Sequence, residues 1–147
     1  MDNKRLMTSD AITVGPLTTL EQAARTMRER DVGSLPVVRD GKLVGIVTDR
    51  DIVVRGVAEG RDGMFSRVSD VMTDNPLCCL ATSDVEEAAK TMGEAKVRRL
   101  PVVDEDGTLV GMISLADLVR HKDGSVGYVL GEVTEPNAIK PKMDLVS

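Results

Sequence analysis

The positions richest in potential chemistry form two short strings, Gly45-Ile-Val-Thr48-Asp-Arg-Asp51 and Gly111-Met-Ile-Ser114-Leu-Ala-Asp117. In each, a hydroxyl precedes a carboxylate by three residues, the spacing of a helix N-cap and the end of the first turn behind it. Such a Thr or Ser either caps the helix or, with the free N–H groups of the helix start, approaches an anion. The Asp is either a first-turn acid favoured by the helix dipole or an acceptor for a ligand's hydroxyls. Both readings stay open for Thr48, Asp51, Ser114 and Asp117. Arg98 and Arg99 add two cations before Leu100-Pro101, for an anionic ligand or for surface acids, and Arg50 offers a single one beside Asp51.

Little else in the chain is reactive. Cys78 and Cys79 are neighbours, so they make no ordinary disulfide with each other; on a strand one faces in and one out, as small hydrophobes, with redox sensing or metal binding as the alternative. His121 is the only histidine and ends the last helix, where a cation meets the negative end of the dipole. No nucleophile and base are assembled, no spaced Cys/His set suits zinc and no Gly-rich phosphate loop exists, so neither an enzyme nor a metal site is expected.

The elements that position these residues are written twice. A shift of 65 lays Met7-Thr8 on Met72-Thr73, Glu21-Gln-Ala-Ala-Arg-Thr-Met27 on Glu86-Glu-Ala-Ala-Lys-Thr-Met92, and Leu35-Pro-Val-Val38 on Leu100-Pro-Val-Val103. One inserted residue raises the shift to 66, after which Gly41, Leu43-Val-Gly45, Asp51 and Val53 meet Gly107, Leu109-Val-Gly111, Asp117 and Val119. A repeat of this length outranks any single motif as evidence of fold. Each copy predicts a short strand (Ile12–Val14; Leu77–Leu80) and then a helix capped by Thr18 or Thr19, and by Ser83 or Asp84. The apolar face of that helix is Leu20, Ala23, Ala24 and Met27, or Val85, Ala88, Ala89 and Met92. A hairpin follows over Leu35–Arg39 and Lys42–Thr48 around Asp40-Gly41, and over Pro101–Asp104 and Leu109–Ser114 around Gly107. A second helix starts near Asp49 or Leu115, with Ile52, Val53 and Val57, or Leu118 and Val119, facing inward.

Each repeat therefore reads β-α-β-β-α, an α/β (α+β) class. A single copy has too little core to be stable alone, so the two pack as an intramolecular pair. The repeats span residues 6–60 and 71–121, joined by Glu59–Asp70 and followed by a tail, Lys122–Ser147. The core is aliphatic, because Phe65 and Tyr128 are the only aromatics. Net charge of -5 disfavours nucleic acid, no membrane-length apolar run or leader is evident, and a soluble cytoplasmic protein is expected.

The Gly-h-h-[Thr/Ser]-x-x-Asp strings and the Leu-Pro-Val-Val runs resemble the signature of the CBS domain, named after cystathionine β-synthase, over roughly residues 6–120. The run Thr48–Gly56 looks like that of small bacterial proteins made of a CBS pair alone. The resemblance implies a non-catalytic regulatory module that binds AMP, ADP, ATP or another adenosyl compound, such as NAD or S-adenosylmethionine, in clefts between the repeats. Thr48 or Ser114 would approach phosphate and Asp51 or Asp117 the ribose diol, while adenine would lie against backbone near Val14 and Leu35, or near Cys78 and Leu100. Gly33-Ser34 stand where the second copy has Arg98-Arg99, so the second cleft is expected to be the occupied one, with Asp117 partly in solvent when empty. No cofactor is obligatory. The partners expected are the ligand, an unidentified effector protein and a second copy, docked through Ala23/Ala24 and Ala88/Ala89, Val53/Val57, or the tail residues Tyr128, Val129, Leu130 and Val133. The alternative is a homodimerisation module whose clefts have lost their ligand.

Overall fold

The computed structural model describes residues 1–121, so the expectations for the tail lie outside the described residues. In chain order the elements are α1 (Asn3–Leu6), α2 (Leu20–Arg30), β1 (Ser34–Arg39), β2 (Lys42–Thr48), α3 (Asp49–Asp51), β3 (Thr73–Asp74), β4 (Cys79–Leu80), α4 (Val85–Ala95), β5 (Arg99–Val103), β6 (Leu109–Ser114) and α5 (Leu115–His121).

The helix starts follow the capping chemistry of the sequence. Thr19 accepts the N–H of Gln22 and the Gln22 side chain accepts the N–H of Thr19, closing a capping box at α2. Asp84 caps α4 by accepting from Glu86 N. Both helices end in a left-handed residue, Asp31 and Lys96. Leu20, Ala23 and Met27 bury the face of α2, and Val85, Ala88, Ala89 and Met92 that of α4. Ala24, expected on the same face, is exposed, because α2 docks along its 20/23/27 edge alone.

The hairpins form as expected. Asp40 and Gly41 both take positive φ, which a two-residue turn between right-twisted strands requires. The second hairpin turns through Gly107 at φ 87°. Both carry an irregularity at the same place, Val37/Val38 and Val102/Val103. The leading strands are shorter than expected: Val14 alone pairs with Val37, and Cys79–Leu80 pairs with β5, both parallel.

The chain folds into two compact units that exchange their leading segments. Residues 12–76 form one; residues 1–11 with 77–121 form the other. The segment before the first repeat thus packs on the second, and the linker packs on the first. The equivalence extends to single bonds at the shift of 65: Val85 N donates to Met1 O, as Leu20 N does to Ser66 O. Asn3 N donates to Ser83 O, as Val68 N does to Thr18 O. At the sheet edge Thr8 pairs with Met112, and β3 pairs with β2. The matched glycines make this crossing possible. A Cβ on Gly45 would lie 2.7 Å from Met72 Sδ and 2.9 Å from Thr73 O; one on Gly111 would lie 2.7 Å from both Met7 Sδ and Thr8 O. One substitution breaks the symmetry: Asn3 occupies the place of the fully buried Val68, itself fully buried, with Oδ1 unpartnered among the described residues.

Each unit has its own aliphatic core, around Leu20, Leu35, Val37, Val47 and Val68 in one and Val85, Met92, Leu100, Ile113 and Leu118 in the other. Each such side chain contributes about 1.5–3 kcal/mol on burial. The second helix of the first repeat departs from expectation. It is α-helical only over Asp49–Asp51, then widens to i→i+5 turns over Ile52–Gly56 and tightens over Val57–Glu59. Val53 and Val57 lie in solvent, 57% and 68% exposed, while Ile52 stays against the core. In the second repeat Leu118 is buried and Val119 is exposed. Among the described residues no helix is long and apolar enough to cross a membrane.

Candidate functional site

At the end of β2 the chain leaves the sheet and starts α3, and Thr48 and Asp51 bond to each other's backbone. Asp51 N donates to Thr48 Oγ1 at 3.0 Å, and Thr48 N donates to Asp51 Oδ2 at 2.9 Å. Ser114 and Asp117 repeat this at the start of α5, with Asp117 N to Ser114 Oγ at 3.2 Å and Ser114 N to Asp117 Oδ2 at 2.9 Å. The four motif residues are therefore two capping boxes. At the first corner the other helix-start N–H groups are also engaged, Asp49 N by Gly33 O and Arg50 N by Asp49 Oδ1.

The copies diverge at the second carboxylate oxygen. Among the described residues no donor reaches Oδ1 of the half-buried Asp51, which leaves it free to accept. Asp117 is 5% exposed and its Oδ1 is held by the Arg120 guanidinium, one turn along α5. This corrects the expectation of a partly solvated Asp117: both its oxygens are engaged and it is buried. By the repeat alignment Arg120 replaces Val54, which has no cation to offer.

The sheet brings most of the other expected residues to these corners. Ser34 pairs with Thr48 and Arg99 with Ser114 across the hairpins. The 33–34 and 98–99 loops are tied to the helix starts, Asp49 N donating to Gly33 O and Leu115 N to Arg98 O. Arg98 is half-buried and Arg99 exposed. Leu35 and Leu100 place their side chains in the two cores, each 1% exposed, so only their backbone faces the corner. Val14 is nearly buried and its own N–H and C=O are spent on Pro36 and Val38. Cys78 is exposed; Cys79 is half-buried with Sγ 3.7 Å from Pro101 O. Burial pushes the Cys79 thiol up to about 12, helped by Cys78, and raises the Cys78 thiol as well. Burial likewise raises the carboxyl of Asp49, next to the motif.

Two features escaped sequence reasoning. Arg120 had a signal, a cation at i+3 from an acid on a helix, where the first copy has Val54. The role of Gly45 and Gly111 depends on a chain crossing that the sequence does not show. A separate surface hollow of about 470 Å³ is lined by Ala81, Thr82, Asp104, Glu105 and Asp106, away from the motif residues. Among the described residues no cluster of three or more His, Cys, Asp or Glu is placed to hold a metal.

Comparison with known proteins matches this geometry. The CBS domain model matches residues 4–56 and 68–124. The CBS domain-containing protein YhcV of Bacillus subtilis is 38% identical over 136 residues, covering 91% of this chain and 96% of that protein. Hypoxic response protein 1 of Mycobacterium tuberculosis is 38% identical over 117 residues, 79% of this chain and 81% of its own. A crystal structure of Hypoxic Response Protein I with two coordinated zinc ions superposes with a TM-score of 0.75 at 35% identity, covering 84% of this chain and all of that one. CBSX2, a CBS-pair protein of Arabidopsis thaliana, has a crystal structure in complex with AMP, with a TM-score of 0.72 at 34% identity, covering 82% of this chain and 94% of that one. Two matched repeats, a shared fold and full-length relatives agree: this chain belongs to the CBS domain family and carries two CBS domains in tandem.

Proposed function

We propose that this chain is a non-catalytic ligand sensor that binds an adenine nucleotide or a related adenosyl compound and signals to a separate effector protein. The observation that carries this reading is the corner built by Thr48 and Asp51. A hydroxyl at a helix start lies beside a carboxylate with one oxygen to spare, which suits phosphate and ribose hydroxyls respectively. The AMP complex of CBSX2 supports the choice of ligand. Thr48, Asp51, Ser114 and Asp117 are the proposed polar contacts, with Arg98 and Arg99 for phosphate, and the backbone near Val14, Leu35, Cys78 and Leu100 for the base. Its setting is the cytoplasm, its working form a homodimer, and its domains follow the two repeats.

Melting the protein with AMP, ATP, NAD and S-adenosylmethionine tests this. A ligand at about 100 times its Kd adds about 2.7 kcal/mol and raises Tm by several degrees. If none of the four shifts Tm at millimolar concentration, the sensor reading fails. The alternative then gains, a homodimerisation module with empty corners; the exposed Val53, Val54 and Val57 favour it.

A further inference from the structure

We infer that Arg120 decides which repeat takes the nucleotide first: it occupies Asp117 as an internal substitute for ribose, weakening the second repeat and leaving the first, through Asp51, as the tighter site. This rests on the reading of both aspartates as ribose acceptors and reverses the order expected from Arg98 and Arg99 alone.

The two capping boxes are matched bond for bond. In each, the Asp spends Oδ2 on the backbone N–H of its own cap, 2.9 Å away in both. Oδ1 is therefore the better placed oxygen to receive a diol. Asp51 has that oxygen to offer among the described residues, and the side chain at its i+3 position is Val54. Asp117 has given it to Arg120. A guanidinium is a stronger partner for a carboxylate than a neutral diol, and it is tethered one turn away, so a ligand competes against a high effective concentration. Arg120 is itself 71% exposed, so its side chain is free to be withdrawn, and the lock is competitive rather than permanent. Displacing Arg120 costs the ligand what the ion pair is worth, up to about 1 kcal/mol for a guanidinium in solvent, so the second repeat is expected to bind up to about fivefold more weakly than the first.

The test is calorimetric titration of the full chain with AMP, beside NMR of the arginine side chains. Arg120→Val copies Val54 at a mostly exposed position and keeps Asp117. Wild type is expected to fill one site per chain before the other, and Asp51→Ala to remove the tighter one. Arg120→Val tightens the weaker site up to about fivefold, and Asp51→Ala combined with Arg120→Val leaves that site alone. The ligand-free wild type should show a slowly exchanging Arg120 guanidinium whose signal is lost in Asp117→Asn. Two equal sites in wild type, or no tightening of the weaker site in Arg120→Val while AMP binds through Asp51, overturns the inference and spares the nucleotide reading. A freely exchanging Arg120 guanidinium overturns the lock itself, whatever AMP does. Absence of AMP binding in all variants, with the guanidinium protected, refutes the nucleotide reading and this inference with it.

Discussion

Replacing Asp117 by Ala should destabilise the ligand-free protein far more than replacing Asp51. Asp117 is 5% exposed and accepts from Ser114 N and from Arg120. Removing it leaves a partly buried N–H without its acceptor, at about 1–3 kcal/mol, and loses a first-turn charge worth about 0.3–1 kcal/mol. The ion pair adds at most about 1 kcal/mol because Arg120 is in solvent, and the better helix propensity of Ala returns about 0.5 kcal/mol. The net expectation is about 2–3 kcal/mol for Asp117→Ala, against about 1 kcal/mol for Asp51→Ala, whose box is half-solvated and has no arginine. At about 2–4 °C per kcal/mol for a chain of this size, the two variants should melt roughly 2–8 °C apart by circular dichroism. If they melt within a degree of each other, the burial and double bonding of Asp117 do not govern its energetics and the argument is refuted.

Four further changes probe the fold. Gly45→Ala and Gly111→Ala drive a Cβ to within 2.7 Å of a methionine sulfur and within 3 Å of a backbone oxygen; each should cost about 1–3 kcal/mol in urea unfolding, and hydrogen exchange should speed up at Met72-Thr73 and Met7-Thr8 respectively. Asn3→Val removes a buried acceptor without a partner among the described residues, gives up one bond to Leu80 O and restores the residue of the other repeat. It should raise Tm by a few degrees. Iodoacetamide at neutral pH should alkylate exposed Cys78 before Cys79, by mass spectrometry. Because the folded Cys79 thiol titrates near 12, above its unfolded range, its contribution to stability is full at neutral pH and is lost as pH rises towards 12; Cys79→Ala should make stability fall less steeply there.

Much of the architecture was legible because it was written twice. The periodicity of Leu20-Ala23-Met27 and Val85-Ala88-Met92, the Asp40-Gly41 turn and the capping hydroxyls are local signals, and local signals survive folding. What was not legible is tertiary. Nothing local says that Met7-Thr8 crosses Gly111 in the opposite repeat, or that the Ile52–Gly56 segment widens and that Val53 and Val57 lie in solvent. The site was legible as residue types, since Thr48, Asp51, Ser114 and Asp117 stand together as their spacing implied. The state of the second carboxylate was not: the burial of Asp117 under Arg120 is a matter of side-chain geometry three residues beyond the motif.

The diol contact at Asp51 carries the functional account, and equilibrium dialysis of AMP against its 2′,3′-dideoxy analogue tests it most directly. Wild type should bind AMP about ten- to hundredfold more tightly than the dideoxy compound, and Asp51→Ala should bind the two alike. Equal affinity of wild type for both nucleotides, or a preference for AMP that persists in Asp51→Ala, would contradict it.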